Sequence, residues 1–452
     1  MKVDLAIKGG QVVTASGIFP LSVAVKGGKI VGLMEESYLP DAVEVVDAKG
    51  MYVLPGGVEP HTHIGIFLPY EKDMESETAS AATGGITTVF NFIQTMGSYR
   101  DVLDDRVKLI NEKAYVDVGF HAIINSPNHL DEMGYLSGNG IKNFKLYMAY
   151  GGEEGRFLNL FQSDEGILYE AFRKSAENGY LPMVHAENSG IYSSFTKKFQ
   201  DRKDLAAYSE GRPPLAEDLD IRTACKIAEM AGSPLYIVHM GYGNGVDIVN
   251  EFRSRGNKIY LETCPHYLTV DKSGSNLKEP VSIKVAPPMK SKEDNDKMWW
   301  ALDKGFVDTI GTDHCSNMWG WKKGEGDIWS AKPGFPSMGT RLPLILSEGV
   351  NKKRISLERA VEVLSLNPAK ILGVYPRKGS IMIGADADFV IVDLKKKAKV
   401  SAEALHSASD YTPWEGWTLT GWPIKTIVRG KVVMDEGQIV GERGHGRFIK
   451  EE

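Results

Sequence analysis

Short apolar stretches alternate with helical stretches from residue 51 to about residue 374 of this 452-residue chain. This alternation is typical of parallel strands joined by helical crossovers. Eight strand candidates occur in the region, and eight such units close naturally into an α/β structure, the (β/α)8 TIM-like barrel. The strand candidates are residues 51–54, 87–90, 116–123, 143–147, 181–185, 235–239, 258–262 and 307–311.

Helix signals support this pattern. Ser163 is predicted to cap a helix with an acidic first turn, and residues 215–231 form a predicted helix that ends at Gly232. A further helix is predicted to begin at Ser356 and to run to about residue 372. The segment 332–339 is rich in proline and glycine and follows the eighth strand, so we expect a loop over the site.

Both ends of the chain carry short alternating strands separated by glycine-rich turns. Each end is short for an independent sheet, so we expect the two to pair into one small β-sandwich beside the barrel. The predicted domains are a composite β-sandwich of residues 1–50 and 375–440, a barrel of residues 51–374 and a C-terminal tail of residues 441–452. The strand candidates at the ends are residues 3–8, 11–14, 21–25, 29–33, 389–392, 425–428 and 431–434.

Composition excludes several classes of protein. The formal net charge is −6, and no basic patch suggests a nucleic-acid partner. The first eight residues carry charges inside their only apolar run, which fits neither a secretory signal nor a membrane span. The three cysteines are odd in number and widely spaced, unlike a disulfide framework or a zinc ribbon. We therefore expect a cytoplasmic protein with no membrane partner.

Polar residues recur where the predicted barrel strands end, which is where chemistry sits in such barrels. Each has a structural alternative: a strand-end histidine is commonly hydrogen-bonded in the core, a lysine can pair with an acid, and an aspartate can form a turn. Their coincidence at one rim instead predicts a metal site, since imidazoles and carboxylates bind transition metals. The six candidate ligands are His61, His63, Lys145, His185, His239 and Asp313.

Lys145 needs a separate chemical account, because an ammonium group has no lone pair and is repelled by cations. If its amine reacts with carbon dioxide, the resulting carbamate has two anionic oxygens that can bridge a pair of cations. Burial favours the neutral amine that this reaction requires. We therefore treat Lys145 as a candidate carboxylated lysine.

Five motifs, in order along the chain, resemble the signatures of the cyclic amidohydrolases, within the amidohydrolase superfamily. Within that group the chain is most similar to dihydropyrimidinases and hydantoinases, and the resemblance covers nearly its whole length. The motifs are PGGVEPHTH at 55–63, NFKLYMAY at 143–150, VHAEN at 184–188, ETCPHYL at 262–268 and GTDHC at 311–315.

The resemblance implies a site with two divalent ions, usually zinc, bridged by Lys145 as N6-carboxylysine. It places His61 and His63 on one ion, His185 and His239 on the other, and Asp313 on the first. It also implies that Asp313 moves a proton to the departing nitrogen and that Tyr150 stabilises the oxyanion, so that a hydantoin or dihydropyrimidine opens to an N-carbamoyl amino acid. A homotetramer or homodimer is implied as well.

The chain departs from these relatives around the expected pocket. Residues 64–67 read IGIF where relatives commonly have LDMP, and Gly65 stands where dihydroorotases carry a carboxylate-binding arginine, which disfavours dihydroorotate. Ala286 replaces a serine, and the loop beginning at Pro333 reads PGFP in place of NGGP. Ala286 and Pro333 are still predicted to bind substrate. Ile66, Phe67 and Phe335 predict an apolar pocket, which favours a hydrophobic 5-substituted hydantoin over polar allantoin.

Two alternatives remain. One is an allantoinase or another hydrolase of cyclic ureides or lactams, because these enzymes share their metal ligands. The other is a non-catalytic scaffold, since the family includes dihydropyrimidinase-like proteins that have lost metal ligands. All six ligand positions are intact here, which disfavours the scaffold.

Overall fold

The computed structural model describes residues 2–451, apart from the side chains of residues 153 and 157. Nineteen strands in the described residues form three sheets. The strands are β1 (Val3–Lys8), β2 (Gln11–Thr14), β3 (Gly17–Phe19), β4 (Ser22–Lys26), β5 (Lys29–Met34), β6 (Ala42–Asp47), β7 (Tyr52–Pro55), β8 (Gly57–Thr62), β9 (Ile86–Ile93), β10 (Asp117–Ile123), β11 (Asn143–Tyr147), β12 (Leu181–His185), β13 (Leu235–Ile237), β14 (Ile259–Thr263), β15 (Thr309–Ile310), β16 (Phe389–Lys399), β17 (Thr418–Val428), β18 (Lys431–Asp435) and β19 (Gln438–Ile439).

The helices lie mainly between the central strands. They are α1 (Tyr70–Thr83), α2 (Leu103–Lys113), α3 (His129–Gly138), α4 (Gly152–Leu158), α5 (Glu165–Asn178), α6 (Ser189–Thr196), α7 (Leu205–Gly211), α8 (Pro214–Ala231), α9 (Gly243–Ser254), α10 (Pro265–Thr269), α11 (Lys292–Asp303), α12 (Trp319–Lys322), α13 (Arg341–Leu344), α14 (Leu357–Val361) and α15 (Asn367–Ile371). Two π-helical segments, Ile345–Val350 and Glu362–Leu366, continue α13 and α14. No helix in residues 2–451 is both long enough and apolar enough to cross a membrane.

The central sheet is the barrel. Its eight strands run in sequence order from β8 to β15, and each neighbouring pair is parallel. A parallel bridge between Thr62 and His314 joins the first and last strands just beyond their ends. This confirms the predicted (β/α)8 fold and gathers all eight carboxyl ends at one rim.

The first barrel strand is not the predicted one. Residues 51–54 were expected to fill this place, but β7 pairs with β16 and β2 in another sheet. The chain then crosses at Gly56, where an added Cβ would lie 2.1 Å from Oγ1 of Thr87, and β8 enters the barrel. An apolar run suits either sheet, so local pattern did not separate them. The other seven predicted barrel strands overlap observed ones.

The two chain ends form the β-sandwich. One sheet has the order β5-β4-β1-β6 and is entirely N-terminal, whereas the other, β19-β18-β17-β16-β7-β2-β3, combines both ends through the β7–β16 pair. Buried side chains from the two sheets form one core cluster. Its members include Leu5, Ile7, Val23, Val25, Val46, Val53, Phe389, Ile391 and Ile427.

Helix boundaries follow the sequence signals with one exception. The cap of α5 is Asp164, whose carboxylate accepts the Ile167 N–H, so the prediction of Ser163 as cap was wrong. Ser163 instead donates its backbone N–H to Tyr147. Helix α8 ends at Gly232 in the left-handed region, and Ser356 caps α14, both as predicted.

A buried ion cluster joins the barrel to the sandwich at the end opposite the rim. The Lys378 ammonium lies 2.5 Å from Asp117 in β10, and 2.9 and 2.7 Å from Asp386 and Asp388, which precede β16. The C-terminal tail meets the same strand, because Arg447 donates its N–H to Asp117. Lys378 occupies the centre of this acidic group, and Arg429 and Lys29 also pair with Asp117 and Asp386, so three cations compensate its charge.

Candidate metal centre and pocket

His61, His63 and Asp313 converge at the rim. His61 lies near the end of β8, His63 follows that strand, and Asp313 follows β15. The Nε2 atoms of His61 and His63 lie 3.1 and 3.2 Å from Oδ1 of Asp313, and 3.3 Å from each other. These distances place three donors of the kind that zinc prefers around one point.

Glu262 orients the first histidine of this group. Its Oε1 lies 2.7 Å from Nδ1 of His61 and accepts a hydrogen bond from it, so the ring is oriented with Nε2 towards Asp313. Burial lowers the pKa of His61, but the carboxylates of Glu262 and Asp313 outweigh it, and the net shift is upward. Burial would raise the pKa of Asp313, yet the two imidazoles hold it well below its usual range.

His185 and His239 form a second pair beside the first. Their ring centroids are 4.6 Å apart, and the His239 ring lies 5.4 Å from that of His61. Nε2 of His185 lies 3.2 Å from Glu187, which leaves Nδ1 available to ligate a cation. Nδ1 of His239 is buried and has no hydrogen-bond partner among the described residues. Burial lowers the pKa of both histidines, which favours neutral rings able to ligate a cation.

The Lys145 amine lies within electrostatic reach of both pairs. It is fully buried and has no hydrogen-bond partner among residues 2–451. Burial lowers its pKa to about 7, although the charges of Asp313 and Glu262 oppose the shift. Its own charge lowers the pKa of His63, His185 and His239. A buried amine without a partner is costly, and a modification or a bound ion would relieve that cost.

Three site residues have unusual backbone conformations. Tyr150, His239 and Asp313 have φ values of 64°, 43° and 51°, in the left-handed region that non-glycine residues rarely adopt. The Tyr150 N–H donates to the Tyr192 hydroxyl at 2.8 Å, which helps to hold that turn. Such strain is common where a fold over-determines the placement of functional groups.

A cleft opens above these ligands, and its walls are mainly apolar. The predicted substrate-binding residues Ala286 and Pro333 both line it, and no lysine or arginine is among the described lining residues. Phe335 was predicted to make the cleft apolar, but it does not face the cleft. Its side chain is 1% exposed and packs against His266 and Trp414. The lining residues are His63, Ile66, Phe67, Gln94, Tyr147, Tyr150, Leu158, Leu160, Val285, Ala286, Asp313, Cys315, Pro333 and Gly334.

The groups that hold the ligands in place were not among the predicted site residues. Arg212 donates two hydrogen bonds to Glu187, at 2.9 and 2.6 Å, and a third to Glu154. Glu187 lies in the VHAEN motif, two residues after His185, and Glu262 begins the ETCPHYL motif. The sequence therefore carried a signal for both glutamates. Arg212 lies in no such motif, and only the tertiary structure brings it to the site.

Known proteins resemble this chain over nearly its full length. A model described as the Amidohydrolase family matches residues 52–433. The D-hydantoinase of Geobacillus stearothermophilus is 36% identical over 98% of this chain and 96% of that protein, and the L-hydantoinase of Paenarthrobacter aurescens is 34% identical over 99% and 98%. Among solved structures, the L-hydantoinase (dihydropyrimidinase) of Arthrobacter aurescens has a TM-score of 0.93 at 33% identity, covering 99% of this chain and 100% of the other.

Proposed function

Because the chain belongs to the amidohydrolase family, we propose that it is a metal-dependent hydrolase that opens a hydantoin or dihydropyrimidine ring at a C–N amide bond. The product is an N-carbamoyl amino acid. The observation that carries this proposal is the convergence of His61, His63 and Asp313 beside the buried, unpartnered amine of Lys145, at the floor of an apolar cleft.

The donor set fits two divalent ions, and zinc suits it best. His61, His63 and Asp313 would hold one ion, and His185 with His239 the other. Lys145, as N6-carboxylysine, would bridge them. Three facts support this assignment: the imidazoles of the second pair favour the neutral form, the Lys145 amine has no other described partner, and its pKa of about 7 makes the neutral amine accessible to carbon dioxide.

When bound, the two ions supply an activated water and polarise the scissile carbonyl. Asp313 is the proton carrier, since its carboxylate stays ionised at neutral pH and faces the cleft. It takes the proton of the attacking water and delivers it to the departing ring nitrogen. Burial raises the pKa of Tyr150 well above its usual value, so its hydroxyl keeps its proton and can donate to the developing oxyanion.

The cleft indicates which ring substituent is accepted. Ile66, Phe67, Leu158 and Leu160 line it, and the described lining residues offer no cation for a substrate carboxylate such as that of dihydroorotate. The backbone N–H and C=O of Ala286 make no hydrogen bond within the described part of the chain and are free to bind the ring amide. We infer a hydantoin with an uncharged, hydrophobic 5-substituent as substrate.

A substrate panel tests the proposal. The purified protein, supplied with zinc and bicarbonate, is incubated with 5-phenyl- and 5-alkylhydantoins, dihydrouracil, allantoin, dihydroorotate and a simple lactam, and mass spectrometry detects products heavier by one water. We expect the hydrophobic hydantoins to react, with the Asp313→Asn variant as the inactive control. Reaction of allantoin or the lactam alone would favour the allantoinase or lactamase alternative. Bound zinc without reaction of any ring would contradict the proposal, and failure to bind zinc would favour a scaffold.

Assembly and location are further parts of the proposal. We infer a homodimer or homotetramer from the resemblance to the family, and light scattering coupled to size-exclusion chromatography tests it. The three cysteines, Cys225, Cys264 and Cys315, are free and buried, which is compatible with a reducing cytoplasm.

A further inference from the structure

Lys322, at the end of α12, has a fully buried ammonium group outside the cleft. Its Nζ donates to three backbone carbonyls, those of Lys284 at 2.8 Å, Lys332 at 2.7 Å and Gly334 at 2.7 Å. Burial lowers the pKa of Lys322, but the three carbonyls favour the protonated amine, whose three protons they accept. No carboxylate among the described residues forms an ion pair with it.

A second buried lysine is bound in the same way nearby. Nζ of Lys284 lies 2.6, 3.3 and 2.6 Å from the carbonyl oxygens of Ile328, Trp329 and Ala331. The two ammonium groups thus gather carbonyls from most of the irregular segment 328–334. Burying a cation against neutral acceptors costs free energy, but a fully satisfied network of this kind makes the surrounding backbone rigid.

The two lysines differ in what their acceptors do. Lys322 binds the carbonyl of Lys284, which immediately precedes Val285 and Ala286, and the carbonyls on either side of Pro333. Val285, Ala286 and Pro333 all line the cleft. The N–H of Gly334 in turn donates to the same Lys284 carbonyl at 3.0 Å. The acceptors of Lys284 are not among the described lining residues. Of the two lysines, only Lys322 therefore joins the segment at 284–286 to the segment at 332–334 in the cleft wall, alongside the backbone hydrogen bond from Gly334 to Lys284.

We propose that Lys322 is a positioning residue for the substrate ring: its ammonium sets the distance between the backbone at Ala286 and the backbone at Pro333 and Gly334. The inference rests on the proposed function, because it assumes that a cyclic amide binds against these segments. Gly334 has both backbone groups engaged, so it shapes the wall and leaves hydrogen bonding to Ala286. The lysine acts on ring binding through the backbone and touches neither substrate nor metal.

Paired variants test the proposal. Lys322→Met is compared with Lys378→Met, which removes another buried ammonium at the end of the barrel opposite the cleft. We expect Lys322→Met to raise KM for a 5-substituted hydantoin about tenfold with little change in kcat, while the zinc content stays that of the wild type. Lys378→Met should leave KM within about twofold, even if both variants lower the melting temperature. An unchanged KM in Lys322→Met, or an equal rise in both variants, would overturn the proposal.

A second variant covers failure of Lys322→Met to fold. Lys322→Arg keeps the charge, but a planar guanidinium cannot match three carbonyls arranged around one ammonium, so KM should still rise. Wild-type KM in this variant would also overturn the proposal. The wild type's own turnover is measured first: if it opens no ring, the proposed function fails, whereas normal wild-type turnover with unaltered KM in the variants refutes only the role of Lys322.

Discussion

Glu262 accepts a hydrogen bond from Nδ1 of His61 at 2.7 Å, and the same oxygen accepts the backbone N–H of His239 at 2.9 Å. One carboxylate therefore orients a ligand of each predicted ion. Its other oxygen accepts the Tyr236 hydroxyl at 2.8 Å, so the group has no freedom to rotate. This relationship explains why a glutamate that is not itself a predicted ligand lies at the centre of the site.

Glu262→Gln should weaken metal binding about 10- to 100-fold without unfolding the protein, because the amide no longer stabilises the required tautomer of His61. Competition with a chromophoric chelator measures the affinity. Tyr236→Phe is the matched control, since it removes only the hydrogen bond to the other oxygen and should have a smaller effect. Equal zinc affinity in Glu262→Gln and wild type would show that His61 needs no such partner.

Lys145→Ala should reduce bound metal to less than one ion per chain and lower turnover by about 10³-fold or more, because the bridging anion is lost. Propionate added with zinc should restore part of both, since it can place a carboxylate in the vacated space. Metal analysis after gel filtration gives the stoichiometry. Lys142→Ala, at the opposite end of the same strand region, should behave like the wild type. Full metal content in Lys145→Ala would refute the bridging role.

Tyr150→Phe should lower kcat about 10²- to 10³-fold with unchanged zinc content, because it removes one donor to the oxyanion. Tyr147 is the natural control: it also lines the cleft, and its ring lies 5.3 Å from that of Tyr150. Tyr147→Phe should change kcat only slightly. If steady-state kinetics show the larger loss in Tyr147→Phe, the oxyanion role belongs to that tyrosine.

Lys378→Met should lower the free energy of unfolding by about 3–5 kcal/mol at pH 7, because within the described part of the chain it leaves buried Asp388 without an ion-pair partner and leaves Asp117 and Asp386 with only Arg429 and Lys29. In the wild type, Lys378 and Arg429 outweigh the effect of burial and lower the pKa of Asp117 below its usual value. That carboxylate then stabilises the fold above its unfolded-state pKa, and the contribution is lost as pH falls through the lower, folded-state value.

The variant should respond to pH with the opposite sign. Lys378 opposes the effect of burial on Asp388, so without it the pKa of Asp388 rises further, and the folded protein takes up a proton before the unfolded chain does. The stability deficit should therefore shrink as pH falls from 7 towards 4, as urea denaturation at several pH values would show. Lys396→Met, which breaks the exposed pair with Glu436, should cost less than about 1 kcal/mol. A deficit independent of pH would contradict this account of the cluster.

Much of the architecture followed from pattern alone. Seven of the eight predicted barrel strands overlap observed ones, and the residues predicted as ligands lie together at the rim. These successes have a common cause: apolar periodicity reports which face is buried, and parallel strands in a barrel share one carboxyl end whatever their loops do. Chemistry placed at strand ends can therefore be located without coordinates.

Other features depend on contacts between distant segments. The strand at 51–54 could have joined either sheet, and its partner β16, more than 330 residues later in the chain, decided the matter. Phe335 could have faced the cleft, but packing against Trp414 took it into the core. The two mistaken expectations share one cause. Where an apolar residue is buried depends on the distant segment against which it packs.

By itself, the sequence determined the kind of fold and offered a set of candidate ligands, because these rest on local periodicity and on residue types with few chemical alternatives. The type of reaction was predicted from the resemblance of the motifs to a known family. Only the tertiary structure decided how Glu262 orients His61, how Arg212 holds Glu187 and how Lys322 binds two adjacent segments of the cleft wall. Those relationships join residues far apart in the chain through hydrogen bonds. Their geometry exists only after the core has packed, so no local pattern encodes it.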